Sequence, residues 1–224
     1  MADSRLSSRL LAAGLVLFAA ACAPAPVQKP DPLPPTPPPV AFEDAPVAKF
    51  HSIRFAMQLP MLDGKGWKID DHSTRELLAV HPGSSSELHV ALWTEQDLMN
   101  RARCELRATE LGYLPDLELD PVDQEVTSIP AGWDTRVLVA TEPASAKDGA
   151  PAPLVGHVVA FASFIRKCIF FHFKTTIVIG GPAKTPPSTA ATTLSSRLAA
   201  ARLKMLEGIT LDTFAAIPRE KPGP

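Results

Sequence analysis

The chain has 224 residues, 24 of them proline, and a formal net charge of −2. Its length fits one domain or a small pair, and a hydrophobic content of 46% is enough for a core. The near-neutral charge argues against nucleic-acid binding, which requires clustered basic residues to neutralise phosphates.

The N-terminal residues 1–21 predict a secretory signal peptide. Arg5 and Arg9 precede an apolar stretch at 10–21 that ends in small residues. This pattern is typical of export signals and is shorter than the roughly 20 apolar residues of a membrane-spanning helix. Taken alone, the stretch also fits a plain secretory signal in which Cys22 has no special role.

The cysteine that follows these small residues resembles the lipobox of bacterial lipoproteins. In that family the cysteine is acylated, palmitate being one of the chains, and becomes the first residue of the mature protein. The resemblance implies a lipid anchor on Cys22 that holds the protein at a membrane. The following Ala23, in place of Asp, implies export to the outer membrane, on its periplasmic or surface face.

A proline-rich segment at 22–46 follows the predicted anchor and contains ten of the 24 prolines. Proline fixes φ and removes a backbone donor, which favours extended polyproline II over helix or sheet. We expect a tether that holds the folded part clear of the membrane. A docking site for a proline-binding domain is the alternative.

Residues 47–211 predict one folded domain, and 212–224 a loose tail. The predicted elements, in chain order, are strands near 50–59 and 67–70, a hairpin of 76–81 and 87–93, a helix from Thr94 to about 111, strands over 124–129 and 133–140, a strand pair over 157–164 and 167–179, and a helix over about 189–207. Thr94 and Asp97 have the spacing of a capping box, and the first helix is expected to bury a face with Leu98 and Leu106. Five of the ten phenylalanines lie in the 157–179 pair, which predicts the centre of the sheet.

This order predicts an α+β fold: a twisted antiparallel sheet of about six to eight strands, layered with two main helices. The order, with Pro60, Gly66–Trp67, Gly132–Trp133 and the closing MLEGITL at 205–211, resembles the PsbP/DcrB-like superfamily. That resemblance implies a layered α/β sandwich with a binding or accessory role, and it transfers no catalytic residue.

Two cysteines remain if Cys22 carries lipid. Cys104 lies on the predicted first helix and Cys168 on a central strand, so helix packing onto the sheet can bring them together. Exported compartments permit disulfides, which favours a Cys104–Cys168 bond. The alternative is two separate buried thiols that pack as small apolar residues.

Few residues suggest a ligand site. Glu87 and His89 share a strand face and are expected to meet His81 across the hairpin, which makes them the best metal-like cluster. The alternative is a solvated strand face. His172, among phenylalanines, predicts a histidine at the edge of the core. Three tryptophans either line a groove for a ligand or partner or close the ends of the core: Trp67, Trp93 and Trp133.

The sequence predicts no catalytic residue, no cofactor and no metal. No Gly-x-Ser-x-Gly or His-x-x-x-His motif occurs. The leading hypothesis is therefore a non-catalytic, lipid-anchored module that binds another envelope or secretion protein. A lipoprotein that binds a small ligand or metal is the second hypothesis, and an envelope hydrolase is the third.

Overall fold

The computed structural model describes residues 40–72, 75–114, 119–130, 132–142, 152–179 and 186–212. The predicted signal, Cys22, the tether through residue 39 and the tail after Asp212 lie outside the described residues. The strands are β1 (Val47–Ser52), β2 (Met57–Leu62), β3 (Lys68–Asp70), β4 (Leu77–His81), β5 (Ser86–Thr94), β6 (Asp120–Thr127), β7 (Asp134–Thr141), β8 (Leu154–Phe164), β9 (Lys167–Ile177) and β10 (Thr210–Leu211). The helices are α1 (Arg101–Glu110) and α2 (Pro187–Ala200), and α2 continues as a π-helix over Ala201–Leu206.

Seven strands form one antiparallel sheet in the order β3-β4-β5-β9-β8-β7-β6, and β1, β2 and β10 form a second, in the order β1-β2-β10. This α+β architecture confirms the predicted fold class. The phenylalanine-rich pair is central, since β9 is the fourth of seven strands. It pairs with β5 on one side and β8 on the other.

One face of the large sheet, here called the α2 face, carries the main core. Alternate residues of β9 and β8 point to this face, among them Phe171, Phe173 and Val158, and α2 packs over them with Leu194 and Leu198. Both leucines are thus buried against the sheet. Gly156 of β8 lets the two leucines approach the sheet closely, because a Cβ at this position would lie 2.8 Å from both leucine Cδ1 atoms.

The opposite face, here called the α1 face, has a smaller apolar cluster beneath α1. Phe170, Phe161 and Val159 pack there with Ala108 of the helix. Cys104 and Cys168, the pair expected from the sequence, form a disulfide with a Cα–Cα distance of 5.6 Å, which ties α1 to β9. Because α1 has only ten residues, the rest of this face lies beyond it.

The small sheet extends the main core. Met57, Leu59 and Met61 of β2 are almost fully buried and belong to the same apolar cluster as the α2 face. The sequence predicts one strand near 50–59, whereas the structure has two strands, β1 and β2, over this stretch. Pro60 lies within β2 opposite Lys49 of β1, and the turn falls earlier, between β1 and β2.

The predicted start of the first helix at Thr94 is also wrong. Thr94 pairs with Lys167 as the last residue of β5. The helix begins at Arg101 after Asn100, whose side-chain oxygen accepts the Arg103 N–H at 2.9 Å, as an N-cap does. The expected buried face is wrong as well. Cys104 and Ala108, one turn apart, face the sheet, whereas Leu106 points away from it and Leu98, before the helix, is also exposed.

Candidate functional site

A row of polar side chains crosses the α1 face beyond the end of α1. We call it the histidine path: Glu76, His89, His172, His157 and Glu142. His89 and His172 are register partners on β5 and β9, with ring centres 5.7 Å apart. The path therefore runs across neighbouring strands rather than along one of them.

Two contacts, the first buried and the second partly buried, form one end of the path. His157 Nδ1 lies 2.9 Å from His172 Nε2, and His157 Nε2 lies 3.0 Å from Glu142 Oε1. A carboxylate can only accept, so Nε2 of His157 carries the hydrogen. Nδ1 of neutral His157 is then the acceptor, and His172 donates through Nε2. In this arrangement Nδ1 of His172 is left as an acceptor, and no hydrogen bond joins it to another described residue.

Burial keeps both histidines neutral. Desolvation lowers the pKa of His172 to about 3, and repulsion from His157, His89 and Lys174 adds to the effect. Desolvation also lowers the pKa of His157, although the Glu142 carboxylate opposes that shift. The pair therefore acts as a neutral hydrogen-bonded unit near pH 7.

A cavity of about 250 Å³ opens beside the other end of the path. Its lining residues are Glu76, Glu87, His89, Gly112, Tyr113, His172 and Lys174. Nδ1 of His89 lies 3.4 Å from Glu76 Oε2, and Tyr113 stacks on Phe170 at the end of α1 with ring centres 5.9 Å apart. The cavity thus combines imidazole, carboxylate, ammonium and phenol groups within reach of solvent.

The structure does not bring His81 together with Glu87 and His89. In the hairpin His81 pairs with Ser86, and paired residues share a face, so Glu87 and His89 project from the opposite side of the sheet. His81 instead lies on the core side, beside Phe42 and Trp67.

His81 does join a serine and a carboxylate there. Its Nδ1 lies 2.8 Å from Ser84 Oγ and its Nε2 lies 3.1 Å from Asp63 Oδ2. A nucleophile must be reachable by its substrate, yet Ser84 is 3% exposed and His81 is 4% exposed. The backbone N–H of Ser84 also donates to Nδ1 at 3.1 Å. These bonds anchor the turn between β4 and β5.

The three tryptophans have three different environments. Trp67 is buried at the edge of the core, and its Nε1 donates to Leu62 O at 2.6 Å. Trp93 packs on Tyr113 at the α1 face, and its buried Nε1 has no hydrogen-bond partner among the described residues. Trp133 is buried next to Phe164, with ring centres 5.5 Å apart.

An apolar groove, here called the end groove, lies beside Trp133 and has a volume of about 540 Å³. Its lining residues are Thr94, Pro130, Trp133, Phe164, Ile165, Arg166, Lys167, Ile209, Thr210, Leu211 and Asp212. Phe164 and Ile165, at the β8–β9 turn, are 45% and 60% exposed. This groove joins the end of the large sheet to β10 of the small sheet.

A closed metal site and a membrane-spanning helix are both absent from the described part of the chain. No three His, Cys, Asp or Glu side chains there converge as a closed metal site would require. Among the helices in these ranges, none has the length and apolar character needed to cross a membrane.

Sequence reasoning missed His157 and the role of His172. The signal was the alternation of side chains along paired strands. His172 of β9 lies opposite His89 of β5, and it also lies opposite Val159 of β8. His157 is two residues from Val159 and therefore shares the same face. That register depends on which strands become neighbours, and the sequence alone left this open. The functional roles considered for Trp67, Trp93, Trp133, His81, Glu87 and His89 remain predictions.

Comparisons with known proteins found similarity to several solved structures. No protein-family model matches the chain, and no curated protein matches it. The Ran-binding protein Mog1p of Saccharomyces cerevisiae matches with 12% identity and a TM-score of 0.49, over 75% of this chain and 96% of that one. LpqN of Mycobacterium tuberculosis, described as involved in cell envelope biogenesis, matches with 16% identity and a TM-score of 0.40, over 76% and 94%.

A third match, from Bacteroides thetaiotaomicron, has 10% identity and a TM-score of 0.38. It covers 74% of this chain, which spans about half (48%) of that protein. The predicted relation to the PsbP/DcrB-like superfamily stays a prediction.

Proposed function

We propose that this protein is a lipid-anchored module of the bacterial cell envelope that binds another envelope or secretion protein without catalysing a reaction. The observation that carries the proposal is the end groove. Phe164 and Ile165 are exposed beside buried Trp133. Exposed apolar side chains grouped around a groove are typical of protein interaction surfaces.

The surroundings of the groove suit a protein partner. Arg166 and Lys167 lie at its rim with Asp212, and protein interfaces combine an apolar centre with a polar rim. The β10 strand pairs with β2 on one side, and no other described strand pairs with its second edge. An extended segment of a partner can therefore pair with β10 and place apolar side chains in the groove.

Site-specific photocrosslinking tests the use of this groove. A photoreactive amino acid replaces Ile165 in the groove or, as a matched control, Val126 on the far edge strand β6; these residues are 60% and 55% exposed. We expect one discrete protein adduct in intact cells from position 165 and none from position 126. Identical adducts from both positions, or none from position 165, would contradict the proposal.

The anchor needs a separate experiment. The lipobox-like residues before Cys22 support acylation at this position, and acyl chains stabilise membrane association by about 0.8 kcal/mol per buried methylene. We expect labelled palmitate to enter the wild-type chain and not the Cys22→Ser variant, which leaves the membrane fraction. Membrane retention of that variant without label would contradict lipid anchoring and leave the groove experiment unaffected.

A further inference from the structure

The cavity on the α1 face brings two imidazoles to one opening. His89 and His172 both line it, and their ring centres lie 5.7 Å apart on paired strands. Two imidazoles on one tetrahedral metal, each with a metal–nitrogen bond of about 2.1 Å, have ring centres roughly 5 Å apart. The observed separation of the two ring centres is therefore close to that of two imidazoles on one ion.

A carboxylate supports each of these rings, directly for His89 and through His157 for His172. Glu142 orients His157, which orients His172 through the 2.9 Å contact, so Nδ1 of His172 remains an acceptor. Glu76 lies 3.4 Å from Nδ1 of His89, which leaves Nε2 of that ring for a ligand. Carboxylates that accept from the second nitrogen are the usual support of metal-binding histidines.

We propose that His89 and His172 bind a single divalent transition-metal ion of the borderline class, Cu²⁺ more tightly than Ni²⁺ or Zn²⁺. Imidazole nitrogens suit these ions, and affinity for a given nitrogen site is highest for Cu²⁺ along this row. Ca²⁺ and Mg²⁺ require oxygen ligands and are excluded by the same chemistry. This inference is independent of the proposed protein partner.

The other groups around the cavity determine how the site is completed. Glu87 lines the same cavity two residues from His89 and adds negative charge there, while water fills the remaining positions around the ion. Lys174 pairs with Glu87 across the strands and repels a cation, while Glu76 and Glu87 attract it. Two protein nitrogens and open positions describe an exchangeable site, in contrast to a closed structural one.

Cu²⁺ titration of the detergent-solubilised full chain, purified without a histidine tag, tests the proposal. Calorimetry gives the affinity and electron paramagnetic resonance the number of bound nitrogens. We expect one Cu²⁺ site with two imidazole nitrogens. His89→Ala should weaken binding at least tenfold and leave a one-nitrogen spectrum, whereas His51→Ala, on the small sheet, should leave the affinity within twofold.

The positioning role of Glu142 has its own readout. Glu142→Ala should lower the Cu²⁺ affinity about tenfold, and Glu142→Gln, which keeps an oxygen acceptor for His157, should restore most of it. The absence of a two-nitrogen spectrum in the wild type would overturn the proposal. Equal losses of affinity in His89→Ala and His51→Ala would overturn it as well.

Discussion

The α2 face and the α1 face belong to the same strands but differ in what they bury. On the α2 face, β9 places Phe171 and Phe173 in a continuous apolar core. On the α1 face, the same strand places Phe170 beneath α1 and His172 beyond its end. The comparison indicates that the fold depends mainly on one face, which leaves the other free to carry polar chemistry.

The largest effect should come from the α2 face. Phe173→Ala removes a fully buried ring, and such substitutions destabilise a protein by about 3–5 kcal/mol. Tyr113→Ala, which removes a half-buried ring from the α1 face, should lower the free energy of unfolding by less. Urea unfolding of both variants measures the difference. A smaller loss for Phe173→Ala would reverse the assignment of the two faces.

Removal of the disulfide should cause the second-largest loss of stability. Cys104 and Cys168 are 64 residues apart in sequence, and a cross-link stabilises mainly by restricting the unfolded chain, typically by about 2–4 kcal/mol. We expect Cys104→Ala and Cys168→Ala to lose similar amounts, because either change abolishes the same bond. Calorimetric melting compares them with the double variant. Unchanged melting temperatures would show that α1 is held without the bond.

The histidine path predicts a dependence of stability on pH. The pKa of His172 is about 3 in the folded protein, against about 6.5 in an unfolded chain. Between these values the unfolded state binds the proton and the folded state does not, so stability falls as the pH decreases from 6.5 toward 3. The loss is at most about 1.4 kcal/mol per pH unit for this residue.

His172→Gln removes this contribution and should flatten the pH profile of the free energy of unfolding, measured with a chelator present. His157 contributes in the same direction, because its pKa is also lowered. Parallel profiles for wild type and His172→Gln would show that the buried ring is not the group that titrates.

The alternation of side chains between the two faces of a strand explains how much of the fold and of the candidate site could be predicted from the sequence. The run of β9 alternates between two covered faces, so its near-continuous apolar character correctly predicts a central strand. The expected meeting of His81 with Glu87 and His89 was wrong, because hairpin register decides the face of each residue and a shift of one residue reverses it. Here the Pro82–Ser84 turn places His81 opposite Ser86.

The predicted start of α1 was wrong for a related reason. Thr94 and Asn100 are both suitable N-cap residues, and the choice depends on the pairing of Thr94 with Lys167, 73 positions later along the chain. The end groove was equally hidden, since Trp133, Phe164 and Leu211 come together only when both sheets are in place.

The smallest effect on stability should come from substitutions of exposed residues, in the end groove and on β6. Comparing these two positions tests function. Phe164→Asp and Val126→Asp each change one exposed apolar residue, and surface substitutions usually alter stability by about 0.5 kcal/mol or less. Both variants should therefore fold like the wild type, as circular dichroism and melting can verify.

The most direct test of the central claim is co-purification of these two variants with the partner from detergent-solubilised envelopes. We expect the partner that crosslinks at position 165 to remain with Val126→Asp in wild-type amounts and to be lost from Phe164→Asp. Equal recovery with both variants would contradict the claim that the end groove is the binding surface.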